Sequence, residues 1–266
     1  MLSLVIVMRP YIKAEKNHTD RPDPTVFRHH THEEYEILCF IAGDAEYVVE
    51  GNVYRLKPND VIITKRAEAH ALRIHTIIPY TRYVIDFNAD ALLGTYADSL
   101  PAVLDSKPLG RFNRISPNDL TQQEQWLSYI DRIVFAATTE EQQLYLTVLM
   151  AELCHNLGRR SSEHEHDTNQ LIDYINHHLL EVRSLDELCQ TFHISKTHLN
   201  RKFKAMTGST AWDYIVTKRL ITAKDLLSQG EKPNDVSERC GYEDYSAFYR
   251  AYKQHFGVSP KVDRQK

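Results

Sequence analysis

Residues 195–208, SKTHLNRKFKAMTG, combine the apolar spacing of a helix with a second, polar face that carries several positive charges. At 100° per residue, Leu199, Phe203 and Met206 fall within one narrow arc. A separate, contiguous arc holds the polar side chains Lys196, Thr197, Asn200, Arg201 and Lys204. Arg matches the O6 and N7 atoms of guanine, Asn matches adenine, and Lys neutralises phosphates. The chemistry available to this face is therefore contact with DNA.

Much of this pattern returns 49 residues later, in DYSAFYRAYKQHFG, residues 244–257. The apolar, basic and glycine positions agree in register, pairing Leu199 with Phe248, Arg201 with Arg250, Phe203 with Tyr252, Lys204 with Lys253 and Gly208 with Gly257. A lone cationic helix face is usually solvated surface, but that explanation does not account for a repeat that keeps its basic positions. A short helical stretch precedes each copy, SLDELCQTF and PNDVSERCG, so the sequence predicts two helix-turn-helix motifs.

The segment between the copies, STAWDYIVTKRLITAKDLLSQG, predicts one long helix. About 20 helical residues span roughly 30 Å. Successive major grooves on one face of DNA are separated by roughly 34 Å. A rigid spacer of this length favours placement of the two polar helices in neighbouring grooves.

These stretches resemble the DNA-binding domain of the AraC/XylS family of bacterial transcription regulators. The resemblance covers residues 168–260 and is strongest in DVSERCGYEDYSAFYRAYKQHFGVSP. It implies a seven-helix module with two reading heads. The residues it assigns to DNA are Lys196, Thr197, His198, Asn200, Arg201, Lys204, Tyr245, Ser246, Tyr249, Arg250 and Lys253. Pro233 and the ending PKVDRQK depart from the family pattern.

A second group of chemical side chains lies in HHTHEEYEILCFIAG, where His30, His32 and Glu36 share the same parity. In an extended strand they point to one face. The spacing resembles the first motif of the cupin barrels, in which these side chains often ligate a metal. The second cupin motif matches LKPNDVIIT, with Ile63 in the histidine position, so the fourth ligand is missing there.

Three interpretations of this group compete. The side chains could form a metal-dependent catalytic site with an open position. They could instead hydrogen-bond within the rim of the barrel. The favoured interpretation is an effector pocket that needs no metal or other cofactor, because sensor domains of the resembled family are cupin-like. The pocket residues it predicts are His30, His32, Glu36, Tyr47 and His70.

The chain organisation predicts an α+β protein of 266 residues. Residues 1–160 form a cupin-like β-barrel with dimerisation helices at 118–137 and 140–158. In the barrel the opening LSLVIVM is a strand and VVEGNVY is a hairpin with a Gly-Asn turn. A polar linker covers residues 161–167, and an all-α DNA-binding domain with two helix-turn-helix motifs joined by a long helix covers residues 168–266. The net charge is −4, divided into +3 for residues 168–266 and −7 for the rest.

The predicted function is a ligand-responsive, sequence-specific regulator that activates metabolic genes. Its expected partners are double-stranded DNA, a small-molecule effector such as a sugar, a second copy of the chain, and RNA polymerase. Four scattered cysteines and no long apolar run favour the cytoplasm and no membrane association. The alternative is a metal-dependent cupin enzyme with an appended DNA-binding domain.

Overall fold

The computed structural model describes residues 9–24, 30–116, 123–157 and 170–264. The chain divides into two compact units, one spanning Val7–Asp167 and the other containing Thr168–Lys266. Each unit has a hydrophobic core of its own. The predicted strand LSLVIVM and the predicted linker at 161–167 lie outside the described residues.

Antiparallel strands form two sheets in the first unit. The five-stranded sheet has the order β1-β7-β2-β5-β8, and the three-stranded sheet has the order β4-β3-β6. The strands are β1 Ile12–Thr19, β2 Tyr35–Ala42, β3 Ala45–Val49, β4 Asn52–Arg55, β5 Val61–Thr64, β6 His70–Ile74, β7 Tyr80–Phe87 and β8 Arg114–Ile115. The β-rich first unit is confirmed; within the described residues no ladder joins the two sheets, so closure into a barrel stays a prediction.

The alternation of β2 decides which side chains face the space between the sheets. Tyr35, Ile37 and Cys39 point outward into a core shared with the helices. Leu38 points the other way, into a cluster built from both sheets, and Glu36 shares its parity. Because β2 pairs with β7 in a register that places Glu36 opposite Asp86, both carboxylates belong to this inner face.

The hairpin at VVEGNVY is present, but its turn lies one residue earlier than predicted. Glu50 and Gly51 form the turn, with φ of 49° and 81°, and Val49 pairs with Asn52. Two consecutive positive φ values match the twist of antiparallel strands. Asn52 is thereby a strand residue whose side chain donates to the Gly110 carbonyl.

Three α-helices complete the described part of the first unit: α1 Tyr96–Ser106, α2 Gln123–Val134 and α3 Thr139–Leu157. The second and third correspond to the helices predicted at 118–137 and 140–158, with residues 118–122 and 158 outside the description. Helix α1 was not predicted from the sequence. Trp126 and Ile130 of α2 and Leu149 and Leu153 of α3 are buried against the outer face of the five-stranded sheet.

The described part of the second unit consists of seven helices, as the resemblance implies. Helices α6 and α9 begin and end at equivalent positions, 49 residues apart. Each starts at a side-chain cap, Ser195 or Asp244, and ends at a left-handed glycine, Gly208 or Gly257. The helices are α4 Gln170–His177, α5 Leu185–Thr191, α6 Lys196–Thr207, α7 Ala211–Ser228, α8 Pro233–Arg239, α9 Tyr245–Phe256 and α10 Pro260–Arg264.

The two departures from the family pattern fit this arrangement. Pro233 occupies the first turn of α8, where its missing N–H costs nothing. In the ending PKVDRQK, Asp263 is buried and accepts a hydrogen bond of 2.7 Å from the hydroxyl of Tyr252 in α9. This contact joins α10 to the second helix-turn-helix motif.

Candidate nucleic-acid interface and effector pocket

Helix α6 presents most of its predicted DNA-contacting side chains to solvent. Leu199 and Phe203 are fully buried on the opposite face. The exposed side chains are Lys196, Thr197, His198, Arg201 and Lys204. The predicted polar face is therefore available for a partner.

Two residues of this face already have partners inside the protein. Asn200 is half-buried, and its Oδ1 accepts a hydrogen bond of 3.3 Å from the N–H of Ala211 at the start of α7. Lys196 lies 2.8 Å from a carboxylate oxygen of Asp186 in α5, and the hydrogen bond to Asp186 raises the pKa of Lys196. A DNA contact by either residue must share these bonds with the protein.

Helix α9 offers a matching face. Phe248 and Tyr252 are fully buried, in the positions of Leu199 and Phe203. The exposed side chains are Tyr245, Ser246, Tyr249, Arg250 and Lys253. Asp244 accepts hydrogen bonds from the N–H groups of Ser246 and Ala247, and these bonds lower the pKa of Asp244. The cap therefore stays ionised and fixes the start of the helix.

The linking helix α7 contributes a buried cation that sequence reasoning missed. Arg219 donates to the carbonyl oxygens of Leu179 at 2.9 Å, Val182 at 2.6 Å and Gly241 at 3.2 Å. Leu179 and Val182 precede the first helix-turn-helix motif, and Gly241 lies in the turn of the second. Burial lowers the pKa of Arg219. The repeated helices gave no signal for it, because its three partners lie about 20 to 40 residues away in the chain.

In the first unit, the three sequence-predicted side chains of the His/Glu group do come together, and His70 joins them. One ligand atom from each of His30, His32, Glu36 and His70 lies within 4.8 Å of the others. We refer to these four residues as the His/Glu cluster. Ile63 stands where the second cupin motif has its histidine ligand. It is paired with Ile37 in the sheet and is buried. His70, at the start of β6, supplies the fourth donor.

The predicted reason for the convergence, alternation along one strand, is wrong. Glu36 lies in β2, but residues 31–34 belong to no strand, and 33–34 form a bend. His30 forms an isolated bridge with His70, with hydrogen bonds of 3.0 Å in both directions between their backbones. The cluster is thus assembled by contact between residues 40 positions apart rather than by local periodicity.

The electrostatics of the cluster centre on Glu36. Burial opposes its ionisation, but His70 and His32 outweigh burial and hold the pKa of Glu36 well below its usual value. Burial likewise opposes a charge on His32, yet Glu36 raises the pKa of His32 above its ordinary value. The Tyr47 hydroxyl donates a short hydrogen bond to Glu36 Oε1, and burial followed by Glu36 raises the pKa of Tyr47.

The donor set of the cluster fits a divalent transition metal. Imidazole nitrogen and carboxylate oxygen are its common protein ligands. The Nε2 atoms of His32 and His70 are buried without a hydrogen-bond partner among the described residues, and each lies 3.6 Å from Glu36 Oε2. His30, His32, Glu36 and His70 are therefore the residues that could hold an ion.

A cavity of about 240 Å³ adjoins the cluster. Of the five predicted pocket residues, His30, Glu36 and Tyr47 line it, while His32 and His70 belong to the cluster but not to the lining. Sequence reasoning missed the rest of the lining, which comes from alternate positions of β1, β2, β6 and β7. These residues are Lys13, Glu15, Asn17, Leu38, Leu72, Arg82, Val84 and Asp86.

The register of β1 against β7 explains why the polar lining residues that the sequence analysis missed face the cavity. Lys13 pairs with Asp86 and Asn17 with Arg82 across β1 and β7, so both strands turn alternate polar side chains to the cavity. The alternating polar pattern of IKAEKNHT was a usable signal. Burial, then the charge of Glu36, raises the pKa of Asp86 to about 6. The cavity can offer hydrogen-bond donors and acceptors as well as charges of both signs.

Together the geometry defines a DNA-binding module with two matched helix-turn-helix motifs, in a chain that also carries a ligand-sized polar cavity. The AraC-like ligand binding domain family matches residues 18–172, and a helix-turn-helix domain family matches residues 188–266. The chain belongs to the AraC family of transcription regulators. The predicted regulator with a ligand-binding and a DNA-binding domain is confirmed, and the family is one of regulators rather than enzymes.

Similar proteins cover most of the chain. The HTH-type transcriptional activator RhaS of Citrobacter koseri is 24% identical over 249 residues, which is 91% of this chain and 88% of that protein. The HTH-type transcriptional activator RhaR of an Enterobacter species is 24% identical over 256 residues, with the same coverage. The crystal structure of ToxT from Vibrio cholerae is 14% identical and covers 94% of this chain and 96% of that one, with a TM-score of 0.35. Among the described helices, none is long and apolar enough to cross a membrane.

Proposed function

We propose that this chain is a cytoplasmic transcriptional activator that binds DNA as a homodimer and responds to a small polyhydroxylated metabolite, such as a sugar. Residues 1–160 act as sensor and dimerisation domain, 161–167 as linker and 168–266 as DNA-binding domain. The observation that supports the proposal best is the pair of equivalent helices with exposed basic faces. Activation is supported by the names of the similar proteins, which are transcriptional activators. RNA polymerase is then the expected further partner.

In this proposal α6 and α9 enter neighbouring major grooves. Arg201 and Arg250 read base edges, because a guanidinium matches guanine bidentately. Thr197, Tyr245, Ser246 and Tyr249 contact bases or sugars from the same faces. Lys196, His198, Lys204 and Lys253 contact phosphates, which fixes position without specifying sequence. Asn200 contributes through the part of its amide that Ala211 leaves available.

The cavity supports a polar effector. Its lining places Lys13, Asn17 and Arg82 beside carboxylates, with Leu38 and Val84 as apolar surface. Small-molecule sites combine apolar walls with a few positioned polar groups. A sugar-sized molecule with several hydroxyl groups can pair with both the donors and the acceptors here.

Helices α2 and α3 support dimerisation through an apolar surface. Phe135, just after α2, is 69% exposed, and Leu144 in α3 is 50% exposed. The groove beside Phe135 is lined by Leu127, Ser128, Asp131, Arg132, Phe135 and Glu141, so its apolar residues are surrounded by polar ones. Exposed apolar side chains with a polar rim are typical of protein interfaces. A second copy of the chain is the proposed occupant.

Effector control requires that the effector bind one arrangement of the dimer more tightly than another. A ligand with equal affinity for both arrangements would shift nothing. The proposal therefore places the coupling in the dimer, where a change in the sensor changes how two DNA-binding domains are presented.

The test is selection of DNA from a random library by the full-length protein, followed by affinity measurements on the enriched site. The expected result is two half-sites, one for each chain of the dimer, each with two elements about one helical turn apart. Affinity should fall steeply between about 50 and about 200 mM salt, because bound phosphates release counterions. Absence of enrichment, or a site with a single element, would contradict the proposal.

A further inference from the structure

The His/Glu cluster opens onto the cavity. His30 and Glu36 belong to both, so an ion held by the cluster lies at the wall of the cavity rather than in a closed site. His32 and His70 complete the cluster but do not line the cavity. The cluster and the pocket are therefore adjoining parts of one site.

The tautomers of two histidines are fixed by their other nitrogens. The Nδ1 of His70 lies 2.7 Å from the carbonyl oxygen of Glu68, and the Nδ1 of His32 lies 3.1 Å from that of Glu34. Since a carbonyl can only accept, both Nδ1 atoms carry the proton. Such bonds are typical of metal-ligating histidines, because they orient the ring and leave Nε2 as the donor atom.

The Nε2 atoms then converge on one carboxylate oxygen. Each lies 3.6 Å from Glu36 Oε2, which is too long for a hydrogen bond. Bonds of roughly 2.0–2.2 Å to a common ion place neighbouring ligand atoms roughly 3.0–3.6 Å apart. Buried polar nitrogens that have no hydrogen-bond partner in the described part of the chain are costly, and an ion bound by them would remove that cost.

Tyr47 separates the two oxygens of Glu36. Its hydroxyl holds Oε1, so Oε2 alone faces His32 and His70. Tyr47 also lines the cavity and its ring stacks on His70, with ring centroids 5.8 Å apart. A monodentate Glu36 and three imidazoles give four ligands, which leaves coordination positions open for metals that prefer six.

The charge of the cavity depends on whether the ion is present. The lining carries Lys13 and Arg82 against Glu15, Glu36 and Asp86. Three carboxylates against two cations disfavour an anionic ligand. A divalent ion reverses the balance and favours one.

We propose that His30, His32, Glu36 and His70 hold one divalent transition-metal ion, and that the effector binds to this ion as a chelating oxygen ligand, namely a small hydroxy acid or sugar acid. Tyr47 acts as a positioning residue that keeps Glu36 monodentate. The inference rests on the proposed function, since it names the class of effector. It gives the sensor a requirement for metal that its DNA-binding domain does not share.

The test uses full-length protein stripped with a chelator and titrated with Co²⁺ alone. The expected result is one equivalent bound with visible d–d absorption. His70→Ala and Glu36→Gln should weaken binding by about 100-fold or more, and Tyr47→Phe by about 10-fold. His75→Ala, a histidine of the same unit outside the cluster, is the matched control and should leave affinity unchanged. Absence of Co²⁺ binding, or equal binding by His70→Ala, would overturn the proposal.

The effector class is tested on the unmodified Co²⁺-loaded protein with two probes of equal size. Glycolate can chelate through its carboxylate and hydroxyl, whereas propionate cannot. Glycolate should shift the d–d bands and raise the melting temperature, and propionate should do neither. Absence of any glycolate-induced shift in the d–d bands would overturn the effector class, because the ion would then be structural only. Site-specific DNA binding, measured on the same preparation, reports separately on the proposed function.

Discussion

The guanidinium of Arg219, in the middle of α7, donates a hydrogen bond of 3.2 Å to the carbonyl oxygen of Gly241, in the turn of the second helix-turn-helix motif. The same side chain donates to Leu179 and Val182, which lead into the first motif. One buried cation thus contacts the backbone in the turn of the second motif and in the segment that leads into the first. These bonds join α7 to the connection before α5 and to the turn between α8 and α9.

Gly241→Ala should disturb this contact. Gly241 has φ of +77°, and a Cβ there would lie 2.8 Å from the Leu180 carbonyl oxygen and 2.9 Å from the Arg219 guanidinium carbon. Gly257→Ala is the matched control, because Gly257 has φ of +73° with open space around it. The left-handed backbone should cost both variants about 1–2 kcal/mol. Crowding should cost Gly241→Ala about 1–3 kcal/mol more. Thermal unfolding and affinity for the selected DNA measure the difference between the two variants. Equal losses of stability and affinity in both would contradict a structural role for the contact between Arg219 and Gly241.

Base-reading and phosphate-contacting residues should separate by their effect on specificity. Arg250→Ala should cost about 1–3 kcal/mol on the selected site and relax base preference at one position. Lys253→Ala should weaken binding to all sequences alike and reduce the salt slope by about 1. Both residues are exposed on α9, so neither change removes a packed side chain. Fluorescence anisotropy on matched and scrambled DNA distinguishes them, and uniform loss from both variants would contradict the assignment.

Glu68→Gln should destabilise the sensor unit. Glu68 is fully buried and accepts from Lys107 Nζ at 2.8 Å, Gly110 N at 2.7 Å and Asn113 Nδ2 at 2.8 Å. Removing its charge leaves the Lys107 ammonium buried without its counter-charge, which typically costs about 3–5 kcal/mol. Urea unfolding in a Trp212→Phe background, where Trp126 of the same unit reports, measures the loss. Glu140→Gln on the exposed surface is the control and should change little.

The cost of Glu68→Gln should depend on pH. Burial opposes ionisation of Glu68, but Lys107 outweighs burial and holds the pKa of Glu68 below its usual value. A carboxyl whose folded pKa is lowered contributes stability above its unfolded pKa, about 4.3, and loses it as pH falls through the folded value. The difference between wild type and variant should therefore be largest above about pH 5 and shrink in acid. A difference that grows toward low pH would contradict this assignment.

Phe135→Glu should weaken the proposed dimer. The side chain is exposed in the single chain, so the change costs the monomer little, but a charge in an apolar interface is unfavourable. Sedimentation velocity should show a shift from dimer to monomer, with dissociation at least about 10-fold easier. Val53→Glu is the control, because Val53 is also an exposed apolar residue of this unit but lies in β4. If the wild-type protein is a monomer, or if both variants have the same effect, the proposed dimer interface is contradicted.

The DNA-binding domain was predictable in detail because its signals are local. The buried pairs Leu199 with Phe203 and Phe248 with Tyr252 follow the helical period, and the caps Ser195 and Asp244 are short-range contacts. The ion pair of Lys196 with Asp186 was not predictable in the same way. It depends on how α5 crosses α6, which the period of either helix alone does not give.

The sensor domain was predicted in its strands but not in its assembly. The turn at Glu50 and Gly51 differs by one residue from the expected one, and the order of the strands in the two sheets was not predicted. Strand periodicity predicts which residues of a strand share a face, but it does not predict which strands pair with each other. The pairing of Lys13 with Asp86 therefore became visible only with the register.

By itself, the sequence determined the two helix-turn-helix motifs, because the helix period and the caps act over a few turns of helix and the same pattern occurs twice. The resemblance that these motifs carry then predicted a regulator. Only the tertiary structure decided that His70, predicted as a pocket residue, is the fourth donor beside His30, His32 and Glu36, and that β1 and β7 line the cavity. The physical reason is the distance along the chain between the residues that make contact. Contacts between residues 30 and 70, or 13 and 86, are set by sheet register and packing, which no local pattern specifies.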